Sequence, residues 1–504
     1  MSRNDTICAI STASGTGAIA VIRVSGAESF KTVLFIFRKN GKTLDINDIE
    51  PNKAYYGEIF DPAPDDKPLI DDVLVTFFKS PHSYTGEDSV EISCHGSQFV
   101  QQKILELLVV RGCRLAEPGE FSKRAFINGK LDLAQAEAVA DLIASQNEAE
   151  HHIAVNQLKG GFSNELRELR TKLVDLTSLL ELELDFSEED VEFADRTKLY
   201  DILQTALKHI GKLTDSFRMG NAIKNGIPVA IVGETNTGKS TLLNAILGED
   251  RAIVSDIEGT TRDTIEETFT INGIMYRFID TAGIRETSET IEKIGIERTF
   301  KKISEADIVI GMLDGTKKVK EIVAAAKDIV NRVNVLKQKL IMVINKSDLM
   351  DAATMFTLND DFERSVKSTF EKNIEKNGGY MTDEYCYSIT GMDLYDIRSL
   401  TTFSYMSAKS PEDVEELKND IRCNTDAPKL DGNVVLVTNI RHFEALTHAK
   451  ESLEQVKKGM DDKLSADLLA QDLRQALYYI GSITGEVTTG EVLNSIFSRF
   501  CIGK

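Results

Sequence analysis

The chain has 504 residues, 42% of them hydrophobic and 28% charged, which is enough for about three domains and too apolar for wholesale disorder. Its formal net charge of −21 argues against a generally basic protein that coats nucleic acid. Six cysteines without a CxxC pair predict reduced thiols, not a zinc ribbon or a disulfide framework. No apolar run approaches the ~18 residues of a membrane-spanning helix, and the first residues lack a signal-peptide profile. We therefore expect a cytoplasmic protein without membrane contact.

The first part of the chain, residues 1–128, is predicted to be an α+β domain, because short β-rich runs alternate with turns. We expect strands at Ala18–Val24, Asp72–Phe78 and Val90–Ile92, and a helix at Lys103–Arg111.

Helical periodicity then takes over from Asp132, a good N-cap residue. Five leucines recur at steps of three and four and predict a seam for helix packing, at positions 166, 169, 173, 176 and 180. Near the C-terminus, Val492, Ile496 and Phe500 are predicted to share one helix face, with Leu493 and Phe497 beside them. We interpret 129–224 and 421–504 as two parts of one all-α domain, interrupted by an inserted α/β domain at 225–420.

The inserted domain begins with a phosphate-binding loop. An apolar strand, Ile227–Val232, leads into the run GETNTGKS at 233–240, and a helix follows. In this pattern the backbone N–H groups surround phosphate oxygens, Lys239 reaches the β- and γ-phosphates, and the Ser240 hydroxyl can bind Mg²⁺. The nucleotide-contacting residues expected here are Gly233, Asn236, Thr237, Gly238, Lys239, Ser240 and Thr241.

Further stretches agree with this loop in order and spacing. The run DTAG follows a strand and can reach Mg²⁺ and the γ-phosphate, through Asp280, Thr281, Ala282 and Gly283. Thr260 and Thr261 occupy the switch position, where Thr261 is expected on Mg²⁺. Guanine is expected to be read by Asn345, Lys346, Asp348, Ser407, Ala408 and Lys409. Together these motifs predict GTP binding, and their arrangement resembles that of the Ras-like P-loop GTPases of the TRAFAC class.

The catalytic detail differs from that of Ras-like proteins. Ile284 stands where a water-orienting glutamine is usual, so another residue must position the water, and Glu286, Glu289 and Glu292 are candidates. Asn236 could ligate a monovalent cation in place of an arginine finger, or could only stabilise the loop through a hydrogen bond.

Motifs outside the inserted domain give the chain a close resemblance to the MnmE (TrmE) family of tRNA-modification GTPases, and one run inside that domain agrees with them. They are the runs DTI at 5–7, RVSG at 23–26, YTGED at 84–88, PGEFSKRAF at 118–126, NGKLDLAQAE at 128–137, IEGTTRD at 257–263 and FCIGK at 500–504.

The resemblance implies specific roles in the inserted domain. Glu292 matches the family's water-orienting residue, and Asn236 its potassium ligand. Carbonyl groups of Ser255, Ile257 and Thr260 would complete the potassium site. Potassium then promotes dimerisation of the GTPase domains and replaces an arginine finger.

The resemblance also implies a one-carbon site in the N-terminal domain, which would dimerise and bind 5-formyltetrahydrofolate or a related reduced folate. The matching folate contacts are Arg23, Glu91, Lys130 and Lys504. Cys501 matches a cysteine implicated in modification, whereas the residues alone favour a small apolar residue packed behind Phe497 and Phe500. The implied assembly is a homodimer that joins an FAD-binding, MnmG-like partner in a heterotetramer, modifying C5 of the tRNA wobble uridine.

Several features depart from the family or stay open. The segment 349–406 is longer than usual, and we interpret about 351–400 as a surface insertion with an amphipathic helix, on which Phe362, Val366, Phe370 and Ile374 recur. Lys123, Arg124 and Lys130 are possible members of a basic tRNA patch. Competing interpretations are a ribosome-assembly GTPase or a nucleotide-gated scaffold. The sequence does not indicate the carbon donor, the tRNAs modified or the coupling to GTP hydrolysis.

Overall fold

The computed structural model describes residues 5–62, 68–185, 196–249, 267–279, 304–381, 385–388, 393–396, 403–425, 435–498, 500 and 503. The chain divides into two compact units, one of 1–144, 154–214 and 441–504, the other of 145–153 and 215–440. The second unit is therefore inserted into the first. No helix in the described ranges is long and apolar enough to cross a membrane.

The first unit begins with a sheet whose strand order is β3-β4-β5-β6-β2-β1-β7 in the described residues. Its strands are β1 (Ile7–Ile10), β2 (Ile19–Ser25), β3 (Phe37–Arg38), β4 (Ala54–Phe60), β5 (Leu69–Phe78), β6 (Ser89–His95) and β7 (Arg114–Leu115). The helices of this region are α1 (Ser29–Ile36), α2 (Gln98–Val110) and α3 (Glu120–Ile127). Alternate strand residues such as Ile22, Val75 and Ile92 are buried with apolar residues of α1 and α2, so one sheet face forms the core.

The same unit continues into helices from both ends of the chain. These are α4 (Leu133–Ala144), α6 (Gly161–Asp185), and later α12 (Ile440–Asp461), α13 (Ala466–Thr484) and α14 (Gly490–Phe497). Two further helices, α5 (Glu148–Leu158) and α7 (Arg196–Asn225), belong to this unit over 154–158 and 196–214, and their other residues belong to the second unit. All five leucines of the predicted seam on α6 are buried, and α6 packs against α13. Helix α4 starts as predicted, because Asp132 and Gln135 exchange side-chain-to-backbone hydrogen bonds of 2.8 and 2.9 Å, which form a capping box.

One prediction about the last helix needs correction. The side chain of Phe497 is buried, and Leu493, Ile496 and Phe500 pack around it, whereas Val492 is 41% exposed. The buried side of the helix is therefore centred on Leu493 and Phe497, one position after Val492 and Ile496. A shift of one position turns the buried side by about 100° around the helix axis, which brings Val492 towards solvent.

The second unit is an α/β domain with strand order β16-β12-β11-β8-β10-β9 in its described residues. Its strands are β8 (Ile227–Gly233), β9 (Glu267–Ile271), β10 (Ile274–Phe278), β11 (Ile308–Asp314), β12 (Lys339–Asn345) and β16 (Phe403–Met406). Its helices are α8 (Lys239–Glu249), α9 (Val319–Arg332), α10 (Ala352–Lys376) and α11 (Pro411–Cys423). All neighbouring strands are parallel except β9 and β10, and apolar clusters cover both faces of the sheet.

Helix α10 is not a peripheral part of an insertion. It connects the parallel neighbours β12 and β16, and such neighbours need a crossover connection. Its apolar stripe, including Phe362 and Phe370, is buried in the same cluster as residues of the central strands. After this helix comes a small antiparallel sheet of β13 (Gly379–Met381), β14 (Tyr385–Ser388) and β15 (Asp393–Asp396). The amphipathic helix that was predicted in the insertion is thus part of the core of the α/β domain.

Candidate functional site

The phosphate-binding loop lies between β8 and α8, as predicted. Gly233 and Gly238 have φ angles of 158° and 98°, and Asn236 has a φ of 62°, so the backbone curls back on itself. The Lys239 Nζ donates hydrogen bonds to the carbonyls of Gly233 (2.8 Å) and Glu234 (2.7 Å). Burial lowers the pKa of Lys239. The loop geometry is that of a backbone concavity able to hold an anion.

Asn345 joins this loop to the guanine-side loop. Its Nδ2 donates to the Thr237 carbonyl at 2.7 Å, and its Oδ1 accepts from the Ala408 N–H at 2.9 Å. A side chain at position 238 would not fit, since its Cβ would lie 2.2 Å from Asn345 Nδ2. Three sequence-distant predicted motifs therefore meet at one buried amide.

The guanine-side residues follow β12 and β16 at the same edge of the sheet. Asp348 is exposed in a short 3₁₀ turn, Ser347–Leu349. The Ser407 N–H donates to Asp413 Oδ2 at 2.6 Å, and the Ala408 N–H is used by Asn345. One backbone N–H of residues 407–409 was predicted to bind guanine. Among these three, the Lys409 N–H forms no hydrogen bond with a described residue.

Two further charged residues at this site were missed in the sequence. Asp314 ends the buried strand β11 and accepts from Lys346 Nζ at 2.7 Å. Burial would raise the pKa of Asp314, but hydrogen bonds from Lys346 and Thr316 outweigh it and lower the pKa. Lys317 pairs with Glu234 of the phosphate-binding loop. Asp314 could have been recognised in the sequence, because an aspartate at the end of an apolar strand of a parallel sheet is a typical site residue. The pair of Lys317 with Glu234 has no such signal, because it forms only in the folded loop.

The exposed Asn236 side chain forms no hydrogen bond with any described residue. The alternative role of Asn236, a side-chain hydrogen bond that stabilises the loop, therefore finds no partner among these residues.

Ser240 and Thr241 lie at the start of α8, and both are exposed. The other predicted residues of the nucleotide and potassium sites lie outside the described residues: Ser255, Ile257, Thr260, Thr261, Asp280, Thr281, Ala282, Gly283 and Glu292.

The second candidate site lies on the outer face of the N-terminal sheet. Arg23 on β2 and Glu91 on β6 are directly opposite, and Arg23 donates two hydrogen bonds to Glu91 Oε1 at 2.8 and 3.0 Å. The Arg23 guanidinium also lies 5.0 Å from the ring centre of Tyr84 and 5.7 Å from that of Phe121. Aromatic rings beside a half-buried cation and carboxylate form a surface suited to a flat, charged ligand.

The C-terminal segment reaches the same sheet. The Ser11 Oγ donates to the Gly503 carbonyl at 3.1 Å, and Gly503 packs so closely that a Cβ would lie 2.1 Å from the Ile10 carbonyl oxygen. Lys130 Nζ donates to the Pro81 carbonyl at 3.1 Å. Cys501 and Lys504, which flank this contact in sequence, lie outside the described residues.

Arg124 does not fit a tRNA-binding patch. Its side chain is only 11% exposed and lies between three carboxylates, those of Asp5 (2.8 Å), Glu120 (3.0 Å) and Glu87 (3.1 Å). Burial lowers the pKa of Arg124, but the carboxylates of Glu87 and Glu120 outweigh this effect and raise it. Arg124 therefore joins the N-terminus to α3 and to the loop before β6, and the expectation of a surface role for it was wrong.

Comparison with known proteins finds similarity over both the N-terminal domain and the rest of the chain. A family model described as GTP-binding protein TrmE N-terminus matches residues 6–130, and one described as MnmE helical domain matches 133–501. The tRNA modification GTPase MnmE of Bacteroides thetaiotaomicron is 48% identical over 502 residues, covering 99% of both chains. That of Flavobacterium johnsoniae is 47% identical over 509 residues, covering 100% of both chains.

This chain belongs to the MnmE family of tRNA modification GTPases.

Two solved structures resemble part of this MnmE-family chain. One is Era from Aquifex aeolicus bound to GDP and AlF₄⁻, with 24% identity, 45% of this chain and 66% of that chain covered, and a TM-score of 0.26. Another is the FeoB G-domain of Methanococcus jannaschii, with 21% identity, coverage of 39% and 96%, and a TM-score of 0.24. The predicted fold class is confirmed: an α+β N-terminal domain, and a helical domain interrupted by a P-loop GTPase domain.

Proposed function

We propose that this chain is the GTP-hydrolysing subunit of a complex that adds a carboxymethylaminomethyl-type group to C5 of the tRNA wobble uridine. The observation that most supports this proposal is that Asn345 joins a phosphate-binding loop to a guanine-side loop. The chain that carries these loops is similar throughout its length to tRNA modification GTPases.

In the nucleotide site, Lys239 and the loop N–H groups would hold the phosphates of GTP. Ser240 and Thr261 would ligate Mg²⁺, and the run 280–283 would contact the γ-phosphate. Asp348 would accept two hydrogen bonds from guanine, for which its exposed position beside β12 is suitable.

Potassium would complete the catalytic site. The exposed Asn236 carboxamide, which has no partner among the described residues, offers an oxygen ligand, and carbonyls of Ser255, Ile257 and Thr260 would supply others. Glu292 would orient the attacking water, because Ile284 cannot do so. Potassium would then act in dimerised GTPase domains in the place of an arginine finger.

GTP hydrolysis should therefore be at least about tenfold faster in KCl than in NaCl at equal ionic strength, since a cation at the transferred phosphate stabilises the transition state. Phosphate release by the full-length protein measures this. Asn236→Ala should remove the difference between the salts, whereas Asn359→Ala, on the exposed side of α10, should retain it. Equal wild-type rates in the two salts would rule out a role for potassium.

The N-terminal site would bind the reduced folate. Arg23 and Lys130 are suitable partners for the carboxylates of a folate glutamate tail, and Glu91 for its ring N–H groups. Lys504 and the reactive Cys501 would come from the C-terminal segment, whose Gly503 is held against the end of β1.

This face also supports a homodimer. Ile19, Tyr56 and Leu74 are 68, 64 and 48% exposed and lie on the same sheet face as Arg23 and Glu91. Exposed apolar side chains on one face mark an interaction surface, and a second copy would cover them. The dimer would bind an FAD-containing MnmG-like partner as a heterotetramer, and together they would act on tRNA in the cytoplasm. Since the net charge is −21, the partner would supply much of the tRNA contact.

Nucleoside analysis of tRNA tests the proposed function. A strain that lacks this protein should lose the C5-modified wobble uridine, and the wild-type gene should restore it. Lys239→Ala should fail to restore it, because the phosphates lose their cation, while Lys320→Ala, an exposed lysine of α9, should restore it fully. Unchanged tRNA with altered ribosome profiles would instead favour the ribosome-assembly alternative.

A further inference from the structure

A small pocket lies where β2 begins in the N-terminal sheet, and it shares Ile19 with the face proposed above for the dimer. It has a volume of about 230 Å³ and is lined by the loop 12–17 with Ile19, Ala20 and Gln101. Pockets for drug-sized ligands usually exceed ~300 Å³, so this one suits a single ring.

The walls of the pocket are fixed by backbone hydrogen bonds. Before the loop, the Ser11 N–H donates to the Val21 carbonyl at 2.8 Å. After it, the Gly17 N–H donates to the Gly96 carbonyl at 3.1 Å. A side chain at position 96 would place its Cβ 2.3 Å from the Gly17 oxygen, so the close approach requires glycine. The pocket is thus formed before any ligand binds, which reduces the entropic cost of binding.

Gln101 gives the pocket its specific polar group. The residue is only 5% exposed, yet its carboxamide forms no hydrogen bond with any described residue. Since Gln101 lines the pocket, a ligand that offers an acceptor and a donor side by side would satisfy it.

The other lining groups are neutral. Hydroxyl groups come from Thr12, Ser14 and Thr16, and apolar contacts from Ile19 and Ala20; every lining residue is described and none is charged. A phosphate or a carboxylate would find no counter-charge there. A flat, uncharged ring with a lactam or imide edge fits both the carboxamide and the apolar wall.

A histidine flanks the pocket. His95 lies opposite Ile19 in the β2–β6 register, and Asp71 accepts both its N–H and its Nδ1–H at 2.7 Å. The carboxylate of Asp71 thus fixes the orientation of the imidazole ring. The Ser11–Gly503 contact brings the C-terminal segment to the residue before the same loop.

We propose that this pocket binds the uracil ring of the substrate uridine, with the Gln101 carboxamide paired to the imide N–H and an adjacent carbonyl. The proposal rests on the proposed function, since it names the place of the substrate base. The pterin ring of a reduced folate has a similar lactam edge, so the test must separate these two sources.

Saturation-transfer NMR with full-length protein and uridine tests the proposal, with 3-methyluridine as the matched probe that lacks the imide N–H. Uridine should bind at least about tenfold more tightly than 3-methyluridine, because the methyl group leaves the Gln101 oxygen unpaired. Gln101→Leu should abolish this preference. Gln98→Leu, an exposed glutamine on the same helix α2, should preserve it.

Three results would overturn the proposal: equal binding of both nucleosides by wild-type protein, a preference that survives Gln101→Leu, or competitive displacement of uridine by 5-formyltetrahydrofolate. The last would assign the pocket to a pterin ring. GTP hydrolysis, folate binding and tRNA modification are measured on the same variants. If wild-type protein modifies tRNA but shows no uridine preference, the pocket assignment alone is lost; if it modifies no tRNA, the proposed function is lost.

Discussion

At the scale of single residues, Asn345 does more than mark a guanine motif. It is 3% exposed, and its one amide satisfies the carbonyl of Thr237 and the N–H of Ala408. Each of these backbone groups belongs to a different nucleotide-binding loop. Hence one side chain joins the phosphate loop to the guanine loop.

Asn345→Ala should reduce GDP affinity at least about tenfold. The substitution leaves a buried carbonyl and a buried N–H unpaired, at about 1–3 kcal/mol each, and part of the binding free energy is then spent on aligning the two loops. Titration of full-length protein with a fluorescent GDP analogue measures the affinity.

The control for Asn345 is Asn359→Ala on α10, which removes an exposed hydrogen bond that Asn359 Oδ1 accepts from the Tyr405 hydroxyl. It should bind the analogue as the wild type does. If Asn345→Ala also bound it normally, the two loops would be positioned by the rest of the sheet.

At the scale of elements, a buried ionic cluster fastens α12 to α4. Arg441 donates two hydrogen bonds to Glu137, at 2.7 and 3.0 Å, and His442 Nε2 lies 2.7 Å from the same carboxylate. Burial lowers the pKa of His442 despite the nearby charges of Glu137 and Asp141. Burial would raise the pKa of Glu137, but His442 and Arg441 lower it to about 2.

Both shifts make the protein less stable as the pH falls. The folded state resists protonation of His442, whereas the unfolded chain protonates it below its ordinary pKa near 6.5. The free energy of unfolding should therefore decrease between pH 7.5 and 5.5, with a slope of at most about 1.4 kcal/mol per pH unit from this group. The contribution of Glu137 is lost only below about pH 4.5. Urea unfolding at several pH values measures the slope.

His442→Gln should flatten this slope, because an amide can still donate to Glu137 but does not titrate. His448→Gln, an exposed histidine on the same helix, serves as the control and should leave the slope unchanged. A slope that persists in His442→Gln would place its origin in other groups.

At the scale of the whole molecule, the chain builds one helical domain from two distant segments and inserts the GTPase domain between them. The buried leucines of α6 pack against α13, which lies hundreds of residues later. Neither segment can bury its apolar stripe alone, so the helical core requires both. The contact of Gly503 with β1 likewise brings the end of the chain to its beginning.

The sequence alone determined the elements and motifs whose signals are local. The strand, glycine loop and helix at 227–249, the N-cap at Asp132 and the leucine seam of α6 all depend on spacing within a few turns of chain. Such patterns are readable because backbone geometry fixes which near neighbours share a face.

Only the tertiary structure decided contacts between distant segments. It placed Arg124 among three carboxylates, made α10 a crossover helix, and left the Gln101 amide facing a pocket. None of these has a local signal, because a charged or amide side chain looks alike in sequence whether it meets water or a partner a hundred residues away. Burial and pairing are properties of the packed chain, and they are set by the sum of its distant contacts.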